Sequence, residues 1–164
     1  MSERGQPTLR AASLAGDSLT IGETRSHRAQ LLLIFSPSCQ FCRQSMPAWQ
    51  SAAAQLAASA DSVDVVWLSL GTADSTQAWA NEHGVREPVL LMPKGKPRAT
   101  WRIKGVPLTL VLDWQGQVRY VRGAVIRDGA TVDSIVRAAR TVSAQIGEAR
   151  LKTIAAQSAF SGGY

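Results

Sequence analysis

A chain of 164 residues is long enough to bury a core and short enough to be one domain. With 45% hydrophobic and 18% charged residues it is not a disordered polymer, and two cysteines are too few for a disulfide-stapled scaffold. The net charge of +6 raises the question of nucleic acid or an anionic surface, but the 18 Lys and Arg residues are mostly isolated along the chain, which argues against a nucleic-acid partner.

The one basic cluster is Lys94, Lys96, Arg98, Arg102 and Lys104. It reads first as a solvated loop and helix face and second as a docking patch for an acidic partner. No segment reaches the ~18 continuous apolar residues of a membrane helix. Residues Met1 to Arg28 contain no apolar h-region of a signal peptide, so a membrane anchor, if there is one, is absent from this chain.

In chain order, Met1 to Ala15 shows no periodicity and reads as disordered, as does Ser158 to Tyr164. Within Leu14 to Ile21, Ala15-Gly16-Asp17-Ser18 reads as a turn between two short extended pieces. Leu31 to Phe35 is apolar at every position, the pattern of a central strand covered on both faces. From Gln40 to Ser59 the pattern is helical, with Met46, Trp49, Ala53 and Leu56 on one face and Pro47 predicting a kink. Val63 to Leu70 reads as a strand. A helix follows from Asp74 to His83, with Asp74 or Ser75 as N-cap and Gly84 as its stop. Pro88 to Met92 reads as a short edge strand, and Arg98 to Ile103 as one or two helical turns. Leu108 to Leu112 is an apolar strand joined by the turn Asp113-Trp114-Gln115-Gly116 to Gln117–Arg122. The last strong element is a helix from Thr131 to Ile146 with the stripe Val132, Ile135, Val136, Ala139, Val142 and Ile146; Leu151, Ile154 and Ala155 add a short amphipathic extension. Alternating strands and helices followed by a strand hairpin predict an α/β fold with a parallel core and antiparallel strands at one side.

Chemistry points to Ser36-Pro37-Ser38-Cys39-Gln40-Phe41-Cys42-Arg43. Both cysteines of the chain lie here, at a strand-to-helix junction. Free N–H groups at a helix start stabilise a thiolate, and the three-residue spacing lets the second sulfur close onto the first. That pattern points to thiol–disulfide exchange.

Together, Cys39-x-x-Cys42 after the first core strand, Pro47 five residues past the second cysteine, and Gly105-Val106-Pro107 opening a strand resemble the thioredoxin superfamily. Phe35-Ser36-Pro37-Ser38-Cys39 and Val106-Pro107-Leu108-Thr109-Leu110-Val111-Leu112-Asp113-x-x-Gly116 are most similar to the TlpA/ResA-type thiol:disulfide oxidoreductases, and Ser-Pro-Ser-Cys to the MauD branch associated with maturation of methylamine dehydrogenase. The resemblance implies a thioredoxin-like domain over residues 14–146, a central mixed sheet flanked by helices in three α/β/α layers. Residues 1–13 and 147–164 are then extensions, the second a short helix and a disordered tail. It further implies a cis peptide at Val106-Pro107, Cys39 as the attacking thiolate, Cys42 as the resolving thiol, and Phe41, Val106 and Pro107 at the substrate contact. It implies a monomer acting on protein thiols or disulfides in a periplasmic or other extracytoplasmic space, served by an upstream redox partner, with no metal and no cofactor beyond its own dithiol. A reductase or client-specific maturation factor is the first reading; a disulfide-forming oxidase or isomerase, or a non-catalytic docking module, is the alternative.

Three departures from thioredoxin stand out. Leu33 occupies the place of its buried aspartate, Ser38 that of the tryptophan before its first cysteine, and Gln40-Phe41 that of its Gly-Pro. Other chemistries fit worse. Zinc would need two ligands besides the cysteines, and only His27 and His83 are available. A peroxiredoxin wants Pro-x-x-x-Thr-x-x-Cys, but Leu32 and Ser36 stand where that proline and threonine belong. A copper chaperone of the Sco type wants one more residue between its cysteines. Of Trp49, Trp67, Trp79, Trp101 and Trp114, the first four read as core and Trp114 as exposed in its turn.

Overall fold

A computed structural model describes residues 8–22, 28–59, 62–95 and 101–161. In chain order it contains β1 (Leu9–Ala12), β2 (Ser18–Ile21), β3 (Ala29–Phe35), α1 (Gln40–Ala57), β4 (Val63–Ser69), α2 (Ala73–His83), β5 (Val89–Leu91), β6 (Leu108–Leu112), β7 (Val118–Arg122) and α3 (Gly129–Ser161). The main sheet has the order β5-β4-β3-β6-β7. β3 pairs in parallel with β4, and β4 with β5, whereas β6 and β7 are antiparallel. This is the mixed sheet that the alternation of elements predicts.

All seven residues of β3 are buried, because each face of the strand meets its own core. On one face Leu31, Leu33 and Phe35 pack with Met46, Trp49 and Leu56 of α1, Trp79 of α2, and Val132, Ile135 and Val136 of α3. On the other, Leu32 and Ile34 pack with Leu9 and Ile21 of the β1–β2 hairpin and with Trp101 and Ile103. Each such side chain contributes about 1.5–3 kcal/mol on burial, so the central strand anchors both layers. Gln30 ties the hairpin on. Its amide accepts from the Gly22 N–H at 2.8 Å and donates to the Thr20 carbonyl at 3.1 Å.

β1 falls in a segment that reads as aperiodic. It is ordered by pairing with β2, and the chain then covers the exposed edge of β5 through Leu14 N–H to Val89 O. The N-cap of α2 is Thr72, not Asp74 or Ser75: its hydroxyl accepts from the Ser75 N–H at 3.1 Å, two to three residues earlier than expected. Gly84 stops that helix in the left-handed conformation, as predicted. α1 runs through Pro47 without a break. The helix read over Thr131 to Ile146 and the extension after it form one helix, and α3 continues to Ser161, since nothing between Gly147 and Ala155 is a strong helix stop. Trp114 is half-buried against the core rather than exposed. Of the helical turns read over Arg98 to Ile103, Arg98 to Thr100 lie outside the described residues, as does His27, and Trp101 and Arg102 form a turn.

Candidate active site

β3 ends at Phe35, and the chain turns through Ser36-Pro37-Ser38 into α1. Cys39 is the N-cap of that helix: its backbone is extended, and its Sγ accepts from the Cys42 N–H at 3.1 Å. A helix-start amide directed at sulfur is a donor to the charged form of that sulfur. Cys39 also lies beside the start of β6, its Sγ 3.9 Å from the Val106 carbonyl oxygen. The Val106-Pro107 peptide is cis, as the resemblance implies. The structure thus brings together Cys39, Cys42, Val106 and Pro107, residues up to 68 positions apart in sequence.

The two sulfurs have different surroundings. Cys39 is half-buried and Cys42 fully buried, and both are free thiols. Burial pushes the Cys42 thiol up to about 12, helped by its hydrogen bond with the Cys39 side chain and by the charge there, while the Ser36 backbone works the other way. Phe41, between them, is 49% exposed, an apolar ring held on the surface beside the half-buried sulfur. No carboxylate lies along β3, and Leu33 is buried between Trp67 and Thr109.

Several residues that hold this arrangement carry no sequence signal. The Ser45 hydroxyl, fully buried, donates to the Phe41 carbonyl at 3.0 Å and accepts from the Ile126 N–H at 3.0 Å, joining the cysteine helix to the segment after β7. The Trp49 indole donates to Thr109 Oγ1. Gly71 lies against Pro37: a Cβ there would meet Pro37 Cδ at 2.7 Å. Beneath the site Phe35 stacks on Trp79 at 3.8 Å, and Trp67 meets Phe35, Trp49 and Trp79 edge-on. These aromatic contacts confirm the core reading of three of the tryptophans; Trp101, in the opposite core, is the fourth.

The model of the AhpC/TSA family matches residues 7–121. The chain belongs to the AhpC/TSA family. Solved structures share its fold. A putative thiol:disulfide interchange protein DsbE from Chlorobium tepidum superposes with a TM-score of 0.70 at 18% identity, over 87% of this chain and 99% of that one. StoA from Bacillus subtilis gives 0.67 at 16%, over 82% and 98%. A secreted disulfide oxidoreductase from Mycobacterium tuberculosis gives 0.63 at 19%, over 84% and 99%. No curated protein sequence matches significantly. Family and fold agree with the thioredoxin-superfamily architecture expected from the motifs, and they span the segment that carries both cysteines and Pro107.

Proposed function

We propose that this member of the AhpC/TSA family is a thiol:disulfide oxidoreductase that exchanges its Cys39–Cys42 couple with protein substrates. The observation that carries the reading is the asymmetry of the two sulfurs: one half-exposed with a helix-start N–H directed at it, the other buried and held protonated. Cys39 is the attacking sulfur and Cys42 the resolving one.

As a reductant the protein acts in two steps. The Cys39 thiolate attacks a substrate disulfide, forming a mixed disulfide and releasing one substrate thiolate. Cys42 then gives up its proton and attacks Cys39 Sγ. The second substrate thiolate leaves, and the protein retains a Cys39–Cys42 disulfide, two electrons having passed to the substrate. Once Cys39 is in the mixed disulfide it carries no charge and no longer needs the Cys42 proton. Two of the causes that raise Cys42 then vanish, while burial, the largest, remains. Phe41 offers an apolar contact beside Cys39, and the Val106 carbonyl, close to Sγ, offers an extended substrate chain a backbone partner.

The direction follows the TlpA/ResA-type and MauD-type resemblance: a reductase or client-specific maturation factor, monomeric, recharged by an upstream dithiol. The secreted mycobacterial neighbour supports an extracytoplasmic setting. Among the described residues no helix is long and apolar enough to cross a membrane. The peroxidase chemistry that the family name brings to mind is not supported, because Leu32 and Ser36 replace its proline and threonine.

Insulin reduction tests the reading. The wild type turns over, Cys39→Ala does not, and Cys42→Ser accumulates a mixed disulfide visible on a non-reducing gel. Undiminished turnover by Cys39→Ala overturns it. The equilibrium potential then sets the direction: about −270 mV fits a reductase and about −120 mV an oxidase.

A further inference from the structure

The loop from β5 to β6 leaves and re-enters the sheet at the end where the dithiol lies. Leu91 pairs with Ser69, which pairs with Phe35, and Leu108 pairs with Ile34. The final stretch of that loop alternates strictly. Trp101 and Ile103 are buried in the core opposite α1, whereas Arg102 and Lys104 are exposed, and Gly105-Val106-Pro107 follows directly. Lys94, just past β5, is exposed at the same end.

The backbone at Arg102 has φ 55°, a left-handed conformation that side-chain-bearing residues rarely adopt and that glycine adopts freely. Residues held in so sparsely populated a backbone region cluster at active sites and ligand clamps. None of the ion pairs among the described residues involves Arg102, Lys104 or Lys94.

We propose that Arg102 and Lys104 select protein clients whose reacting cysteine is flanked by carboxylates. This rests on the thiol–disulfide reading and names its substrate class. Lys104 and Arg102 lie exposed two and four residues before Val106 in a bent stretch of chain. They therefore suit Asp or Glu two to four positions from the client cysteine. Phe41, exposed two residues after Cys39, supplies an apolar contact.

The test uses the reduced full chain and two synthetic peptides. Each has one cysteine capped as a disulfide with 2-mercaptoethanol, flanked at those positions on both sides by Glu in one peptide and Lys in the other. At low ionic strength the Glu peptide reacts about tenfold faster, the low end of electrostatic steering. The ratio falls towards one in about 1 M salt, where the Debye length is ~3 Å. The double variant Arg102→Gln, Lys104→Gln loses the preference but reduces neutral bis(2-hydroxyethyl) disulfide at the wild-type rate. Arg102→Gly, which relieves the left-handed backbone, gains thermal stability and loses part of the preference. Equal rates for the two peptides in the wild type, or a preference that survives the double variant, overturns the proposal. Failure to reduce the neutral disulfide at all instead overturns the thiol–disulfide reading beneath it.

Discussion

The indole N–H of Trp49 donates to the hydroxyl of Thr109 at 2.9 Å, with both side chains fully buried. This bond fastens the helix that carries both cysteines to the strand that begins just after Pro107. Thr109→Val keeps the shape and removes the acceptor, leaving a buried indole N–H unpaired. It should cost about 1–3 kcal/mol in urea unfolding. Thr109→Ser, which keeps the acceptor, should lose only about 1 kcal/mol for its methyl group. Equal losses for the two variants would remove the hydrogen bond from this account.

Gly71 is required by space. Its own Cβ would lie 2.7 Å from Pro37 Cδ and 3.0 Å from Pro37 Cγ, two residues before Cys39. Gly71→Ala should therefore destabilise by about 1–3 kcal/mol, as overpacking does, and slow insulin reduction by shifting the Pro37–Cys39 turn. Pro37→Ala in the same chain should recover much of both losses, the signature of a coupled pair. Strict additivity of the two substitutions would refute the contact.

Cys42 makes the reduced protein sensitive to alkali. Its folded value of about 12 lies above the ordinary 9.0, so the folded state favours the neutral thiol and the unfolded chain sheds its proton first. The stabilisation is complete below about pH 9 and is lost as pH rises from about 9 towards 12. Denaturant midpoints of the reduced wild type should fall across that window, and those of Cys42→Ala should fall less. By the same burial, iodoacetamide should modify Cys39 in the native protein and reach Cys42 only after unfolding.

Restoring thioredoxin's aspartate should harm this protein. Leu33 is buried in β3 between Trp67 and Thr109. Leu33→Asp loses apolar burial and gains a carboxylate with no hydrogen-bond partner provided for it. A penalty of about 4 kcal/mol or more is expected, much of a typical domain's stability. Circular dichroism should show a largely unfolded chain. A folded Leu33→Asp with faster turnover at neutral pH would show that Cys42 lacks a proton acceptor in the wild type.

What the sequence made legible follows from which signals are local. The apolar run Leu31–Phe35 and the stripes on α1 and α3 are periodic, so β3, both helices and their buried faces could be read directly. The cysteine pair and Val106-Pro107 were legible because motif and element order agree. The strand Leu9–Ala12 was not, since four residues containing Arg10 become a strand only by meeting Ser18–Ile21. Nor were Ser45, Gly71 and Thr109, whose partners Ile126, Pro37 and Trp49 are 34 to 81 positions away. Such pairings arise from tertiary packing and leave no mark on a neighbouring residue.

The Ser62 N–H donates to Ser143 Oγ at the end of the sheet where β4 begins, opposite the dithiol. α3 passes that point and extends 18 residues further to Ser161, about 27 Å at 1.5 Å per residue. The chain therefore carries a helical spacer directed away from its reactive face. A tether, fluorophore or solid support joined at the carboxyl end would stand clear of Cys39, leaving the site open for immobilised capture of its clients.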